Sequence, residues 1–516
     1  MPLPAGGKTL WPPPELDPVA RKLTEWDAWY SGDTDALTSF YSGAGSLTHP
    51  TARAFFSSDK PRGEGPTTAP RVFWGERIPP GTLRTKLHVP VASDIAELSA
   101  NLLFGEMPTF VATDRSTQKE LDAFQTDGAH AALRQAAEIC AALGGVFLKV
   151  VWDQGEADRP WLVPVSPENA VCSWAWDRLR GVTFWDIRYQ DDRDTLRLLE
   201  LHERGSISYG LYKGTPTELG ERIPLSAYEG TADLAELYGD DGVLLTNIPW
   251  MTATYVPNVR PNRVWRHVRC AQNLGRPDVS GSEGLMDALD ESATSWMRDI
   301  RTGTAKIMVP ASMLETDGPG QGARFDAQRE VFIGLEGMLG NADSGNIVRD
   351  QGLIRANEHQ ITVEKLYAQI IQTAGYSAQS FGGNGDVAAM TATEVEARKE
   401  QSLTTRAQKI LYWRPALQDV FQALLGIDRE VFGHGSAPEA GIDVMFPQAV
   451  QPSLRELAEA LKVAVEAKAM SLKLRVQTLH PTWTKTQVDQ EVAAILAEEA
   501  PAPAARPVVE PAPLPQ

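Results

Sequence analysis

Gly284–Leu314, GLMDALDESATSWMRDIRTGTAKIMVPASML, changes periodicity halfway along its length. Leu285, Leu289, Ala293, Trp296 and Ile300 recur every three or four residues, with Asp287, Asp290, Glu291 and Arg298 opposite them. That spacing predicts an amphipathic helix of about 18 residues, one face apolar and the other polar. TAKIMVPASML then reads as a strand that Pro310 ends. Residues 311 to 358 are loop-rich, with short β-type segments such as REVFIGL and GNIVRDQG, before ITVEKLYAQIIQTAGYS returns as a helix. The organisation is helix, small β-containing insertion, helix.

Immediately downstream, YSAQSFGGNGDVAAM places a glycine turn, Gly382-Gly383-Asn384-Gly385, before a helix start. Thr391-x-x-Glu394 and Thr393-x-x-Glu396 are overlapping capping boxes. The helical pattern extends to about Leu425 with Pro415 inside it, which predicts a kink near Leu411. Arg398, Lys399, Arg406 and Lys409 form a basic stripe ahead of Pro415, readable as a DNA-facing surface or as intersubunit ion pairs. Trp413, Leu417, Val420 and Leu424 form an apolar stripe around and beyond it.

Upstream, Leu23, Trp26, Trp29 and Tyr30 are at helical spacing before a turn at Ser31-Gly32-Asp33, where a second helix begins. VASDIAELSANLLFGEMPTF reads as a buried helix capped by Ser93 and running into a strand. QKELDAFQTDGAHAALRQAAEICAALGG reads as a further helix. Val146–Trp152, Trp161–Val165, Val182–Tyr189 and Leu196–His202 read as strands of a mainly β region spanning 145 to 260, with tight turns at Glu203-Arg204-Gly205 and Tyr212-Lys213-Gly214. Towards the C-terminus, SLRELAEALKVAVEAKAM and Thr484–Glu499 read as helices. The final Pro/Ala-rich stretch reads as disordered or polyproline-like.

With 516 residues and 42% hydrophobic content, the chain is expected to fold into more than one α+β domain. Its apolar runs fall far short of the roughly 18 residues a membrane span needs, and its N-terminus lacks a signal-peptide pattern. Cys140, Cys172 and Cys270 are too scattered for a metal knuckle or a disulfide framework. A net charge of −18 opposes tight wrapping of nucleic acid, yet suits DNA that must slide past without sticking.

No motif anchors enzymatic chemistry. AGGKT at Ala5–Thr9 lacks the first glycine and the preceding strand of a Walker loop, and GGNGD at Gly382–Asp386 lacks the following lysine. The eight histidines show no metal-ligand spacing, the Asp191–Asp194 and Asp240–Gly242 clusters do not follow a calcium loop, and no nucleophile elbow is present. No metal or cofactor is expected.

The ordered set VASDIAELSANLLFGEMPTF, LGRPDVSGSEGLMDALDESATSWMRDIRTGTAKIMVPASML and the glycine loop with TATEVEARKEQSLTTRAQKILYWRPALQDVFQALL resembles the portal (connector) proteins of long-tailed bacteriophages, in the branch found in phages of actinobacteria. Pro277 departs from the serine expected in relatives. The resemblance implies a multi-domain portal fold: 1–282 as the N-terminal part of the wing, 283–302 and 359–377 as stem helices, and 303–358 as the clip. Residues 378–392 are then the tunnel loop, 393–452 the kinked helix and the rest of the wing, 453–500 a helical crown and 501–516 a tail.

It further implies a homo-oligomeric ring, usually of twelve subunits, at one capsid vertex of the virion, assembled in the host cytoplasm. Double-stranded DNA would pass through it, with Phe381, Gly382, Gly383, Asn384, Gly385 and Asp386 at the channel. Terminase, major capsid protein, scaffolding protein and a head-tail adaptor would be its partners, and no membrane is involved. The alternative is another non-enzymatic head-neck or capsid protein, whereas a packaging ATPase or nuclease would need the Walker loop or metal cluster that is missing.

Overall fold

The computed structural model describes residues 3–42, 73–76, 86–191, 193–302, 306–308, 315–316, 323–324, 348–350, 354–381, 392–435, 441–447, 461–467, 469–480 and 485–499. The chain divides into two compact units, Met1–Pro447 and Gln448–Gln516.

The first unit opens with β1 (Gly7–Leu10) and two helices, α1 (Asp17–Ser31) and α2 (Thr34–Tyr41). Gly32 ends α1 at φ +68°, a left-handed conformation that costs glycine little, and Asp33 caps α2 by accepting from the N–H groups of Asp35 and Ala36. Helix α3 (Val91–Phe104) leads to β2 (Thr109–Val111). Ser93 does not cap α3: it lies in the first turn and donates to the Pro90 carbonyl.

The next segment, expected as one helix, is two: α4 (Arg115–Phe124) and α5 (His130–Leu143). The break falls at Asp127 and at Gly128, whose φ is +83°.

The β region comprises β3 (Gly145–Val151), β4 (Trp161–Val165), β5 (Ala170–Ala175), β6 (Arg178–Gln190), β7 (Thr195–Glu203), β8 (Ser206–Gly214), β9 (Glu218–Ile223), β10 (Val243–Leu245) and β11 (Ala253–Pro257), with α6 (Ala232–Tyr238) before β10. Six of these strands join β1 in one antiparallel sheet in the order β1-β9-β8-β7-β6-β5, with β10 also on β8. Strands β11, β3 and β4 make a second sheet. The turn expected at Tyr212-Lys213-Gly214 is instead the end of β8, and the chain reverses at Thr215–Thr217.

Helix α7 (Glu283–Thr302) and helix α8 (Ala356–Thr373) flank the insertion. Within it, β12 (Lys306–Met308) pairs with β15 (Val348–Asp350), and β13 (Glu315–Thr316) pairs with β14 (Ala323–Arg324). The insertion therefore begins and ends on one antiparallel ribbon. Helix α8 starts earlier than its apolar run suggests, because the polar turn Ala356–Gln360 is already helical.

Helix α9 (Ala392–Ile427) is the longest element and continues through Pro415, whose ring withholds the usual donor from the Leu411 carbonyl. Trp413, Leu417, Val420 and Phe421 are fully buried against Phe104, Phe110 and Val146 from α3, β2 and β3. Each such side chain contributes about 1.5–3 kcal/mol on burial. Strand β16 (Asp443–Met445) closes on β2. In the second unit, residues 461–466 are helical, followed by α10 (Leu472–Leu479), which Ser471 caps, and α11 (Lys485–Glu499). No described helix is long and apolar enough to cross a membrane.

Candidate functional site at the root of the 378–391 segment

Helix α8 ends at Thr373, and Gly375, at φ +88°, turns the chain. A Cβ at Gly375 would lie 2.8 Å from Thr405 Oγ1, so the turn depends on glycine both for its φ and for its contact with α9. Thr405 Oγ1 donates to the Gly375 carbonyl at 2.5 Å, and the Ser377 N–H donates to Ser402 Oγ at 2.9 Å. Ala378–Phe381 form one 3-10 turn, in which the half-buried Phe381 meets Tyr367 edge-on with ring centroids 6.3 Å apart. Gly382, Gly383, Asn384, Gly385 and Asp386 lie outside the described residues.

Between these two ties sits Tyr376, which is 1% exposed. Its hydroxyl donates to Asp278 Oδ2 at 2.8 Å, and Lys409 Nζ donates to the same oxygen at 2.6 Å. Asn258 Nδ2 donates to Asp278 Oδ1 at 2.8 Å, while Lys409 Nζ also donates to Ser99 Oγ at 2.6 Å and lies 5.6 Å from the centre of the Tyr376 ring. Burial and the Asp278 charge push the Tyr376 phenol far above its ordinary range, keeping it a donor.

These contacts correct the exposed basic stripe. Lys409 is 1% exposed, and Arg406 faces inward, Nε donating to the Leu102 carbonyl at 2.5 Å and Nη2 to the Pro447 carbonyl at 2.7 Å. A signal for this was present: at about 100° per residue, Arg406 and Lys409 share the arc of Trp413, Leu417, Val420 and Leu424, so they extend the core face. The side chains of Arg398 and Lys399 lie outside the described residues, although their backbone is helical.

The expected polar face of α7 is likewise corrected at its first turns. Asp287 accepts from the N–H groups of Phe73 and Trp74 at 2.8 and 3.1 Å. Asp290, 1% exposed, accepts from the Val89 N–H at 2.9 Å and the Trp74 indole at 3.0 Å, and its Oδ2 lies 2.8 Å from His88 Nδ1. Lys86 Nζ donates to the carbonyls of Phe73, Trp74 and Glu76, joining the two wrapped segments. Burial raises the Asp287 carboxyl, and the two backbone donors oppose that rise. Two loops more than 190 residues upstream thus clamp the base of α7. Further out, Asp299 binds His359 Nε2 at 2.8 Å and Arg355 at 3.3 Å, joining α7 to α8.

AGGKT includes most of β1, whose Gly7 is paired with Gly220 of β9. Asp191 accepts from the N–H groups of Arg193 and Asp194 in a solvated turn. Among the described residues no three His, Cys, Asp or Glu side chains could hold a metal ion. The three cysteines are free, and burial raises the Cys140 thiol well above its ordinary range.

No curated protein matches the chain. The family model "Phage portal protein, SPP1 Gp6-like" matches residues 18–502, nearly the whole chain and every element just described from α1 to α11 apart from the first residue of α1. The chain therefore belongs to the SPP1 Gp6-like family of phage portal proteins.

Proposed function

We propose that this portal protein works as a ring of twelve copies in which residues 283–302 and 359–377 form the stem, 303–358 the clip and 378–392 the loop that meets DNA. The family assignment makes it a component of the virion at the capsid vertex, through which DNA is packaged and ejected. Portal proteins of this kind form rings and interact with capsid, terminase and DNA. The finer reading gives the clip to terminase and then to a head-tail adaptor, with the scaffolding and major capsid proteins around the wing during assembly in the host cytoplasm. It places the source in a phage of actinobacteria and makes residues 453–500 the crown.

The observation that carries this reading is the paired excursion: α7 leaves the body, β12 and β15 pair at the neck of the insertion, and α8 returns alongside α7 through the Asp299–His359 contact. A stem that supports a terminal docking module needs such a two-helix support. The acidic chain suits the passage of a polyanion, because a uniformly basic wall would hold phosphates by counterion release.

Cryo-electron microscopy of the purified protein tests the architecture. The expected result is a ring with an axial hole of roughly 20 Å, residues 303–358 at its narrow end and 378–392 pointing inward, wide enough for a DNA duplex with its grooves. A closed assembly without an axial channel would overturn it. Replacing Gly382 and Gly383 by alanine is expected to reduce DNA packaging, and unchanged packaging would remove the tunnel loop from the reading.

A further inference from the structure

The buried carboxylate of Asp278 gathers donors from three places that the sequence keeps far apart. It lies five residues before α7 and is held by Lys409 of α9, by Tyr376 just after α8, and by Asn258 just after β11. Lys409 adds Ser99 of α3. Every strong polar function in this cluster is used. Both Asp278 oxygens accept, and the ammonium has two oxygen acceptors and an aromatic face.

We propose that Asp278, Lys409 and Tyr376 are positioning residues that set the place and direction in which the chain leaves α8, and that hold that exit, the approach to α7 and the middle of α9 as one body. This rests on the reading of residues 378–392 as the segment that meets DNA.

Three features distinguish this from ordinary core packing. First, Tyr376 lies between the two independent ties of the same exit, Gly375 to Thr405 and Ser377 to Ser402, and meets α9 one turn further along through the Asp278 oxygen it shares with Lys409. Second, both connections to the helix–insertion–helix arm meet at one oxygen: Asp278 leads into α7, and Tyr376 has just left α8. A displacement of either helix base relative to α9 must therefore break a bond to a buried charge. Third, an ion pair is costly to bury, and a well-packed hydrophobic cluster would stabilise as well. What it supplies in addition is register, since Lys409 and Tyr376 satisfy the carboxylate in only one arrangement. Elsewhere in the body, the largely buried group of Glu200 with Lys149 and His202 joins β3 of one sheet to β7 of the other and touches neither arm nor exit, whereas the Asp290–His88 contact described above lies on α7 itself.

The test uses assembled full-length rings. Removing one charge leaves the other unpaired and can prevent folding, so the informative variant is the double replacement Asp278→Asn with Lys409→Met, compared with Tyr376→Phe, which removes only a hydroxyl. In the double variant, amide hydrogen exchange at Tyr376 and Ser377 is expected to accelerate about tenfold or more, while β3 and β11 keep wild-type protection. Tyr376→Phe is expected to give a smaller acceleration at the same amides. DNA packaging into empty capsids is expected to fall with the exchange effect in both.

Unchanged exchange at Tyr376 and Ser377 in the double variant overturns the positioning role. Should the double variant fail to fold, unchanged exchange at those amides in Tyr376→Phe overturns it. Accelerated exchange with intact packaging supports the positioning role and overturns the DNA-contacting assignment of the segment that follows. Loss of protection throughout β3 and β11 assigns the cluster to global stability and overturns positioning.

Discussion

Helices α7 and α9 both carry a charged stripe, acidic in the first and basic in the second, and the two stripes are used differently. The acids of α7 receive: Asp287 and Asp290 take backbone N–H groups and an indole from two short segments near residues 73–76 and 86–89, which have little secondary structure of their own. The bases of α9 give: Arg406 reaches carbonyls at Leu102 and Pro447, and Lys409 reaches a carboxylate. Buried backbone must be paired, and a segment that cannot join a sheet can pair with helix side chains instead. The difference teaches that a polar stripe on a helix does not identify a wet face. On α7 it marks where loops are wrapped, and on α9 where a helix end and another charge are held.

The contrast can be broken most strongly at the ion pair. Lys409→Met alone should destabilise by about 3–5 kcal/mol, because Asp278 stays buried without its cation. Adding Asp278→Asn should restore much of that loss. Urea denaturation followed by tryptophan fluorescence measures both, and equal stability of the single and double variants would remove the ion pair from the account.

On α7, Asp290→Ala should cost about 3 kcal/mol, since it strands the Val89 N–H and the Trp74 indole together. Faster amide exchange at Val89 should accompany it. A normal rate there would mean that the wrapped segments hold by apolar contacts alone.

Gly375→Ala sharpens the comparison at the exit of α8. The positive φ and the close Thr405 hydroxyl should together cost about 1–2 kcal/mol. Pairing the change with Thr405→Ala should recover the steric part only, as a thermal denaturation series would reveal.

The smallest effect separates the two ends of α7 by pH. The hydrogen bond from His359 is the main cause holding the Asp299 carboxyl below its ordinary 3.8, opposed by burial and aided by Arg355. Its contribution is therefore complete above that value and lost as pH falls below it. Asp287 has the opposite sign: burial raises its pKa, so protonation favours the folded state and acid does not release its end of the helix on that account. Acidification should thus raise amide exchange around His359 before it does so at Phe73 and Trp74. Salt should shrink the Asp299 effect, because that carboxylate is partly exposed. Simultaneous loosening of both ends would contradict the assignment.

Much of the architecture was legible from periodicity. The α7 repeat, the return of α8, the strands around Trp161–Val165 and Thr195–Glu203, and the apolar face of α9 follow from spacings of two or of three to four residues, which the geometry of strands and helices imposes locally. Gly128 was the missed signal for splitting α4 from α5. The boundary of α8 was obscured because Ala356–Gln360 is polar while already helical.

The helix–insertion–helix order, the placement of the glycine segment after it and, through the family match, membership among portal proteins follow from the amino-acid order alone. What the charged residues do depends on how the chain packs. Asp278, Tyr376 and Lys409 are separated by 98 and 33 residues, so no local pattern links them. Whether a lysine meets water or a buried carboxylate depends on which distant chain is folded against it, and that is settled when the core closes.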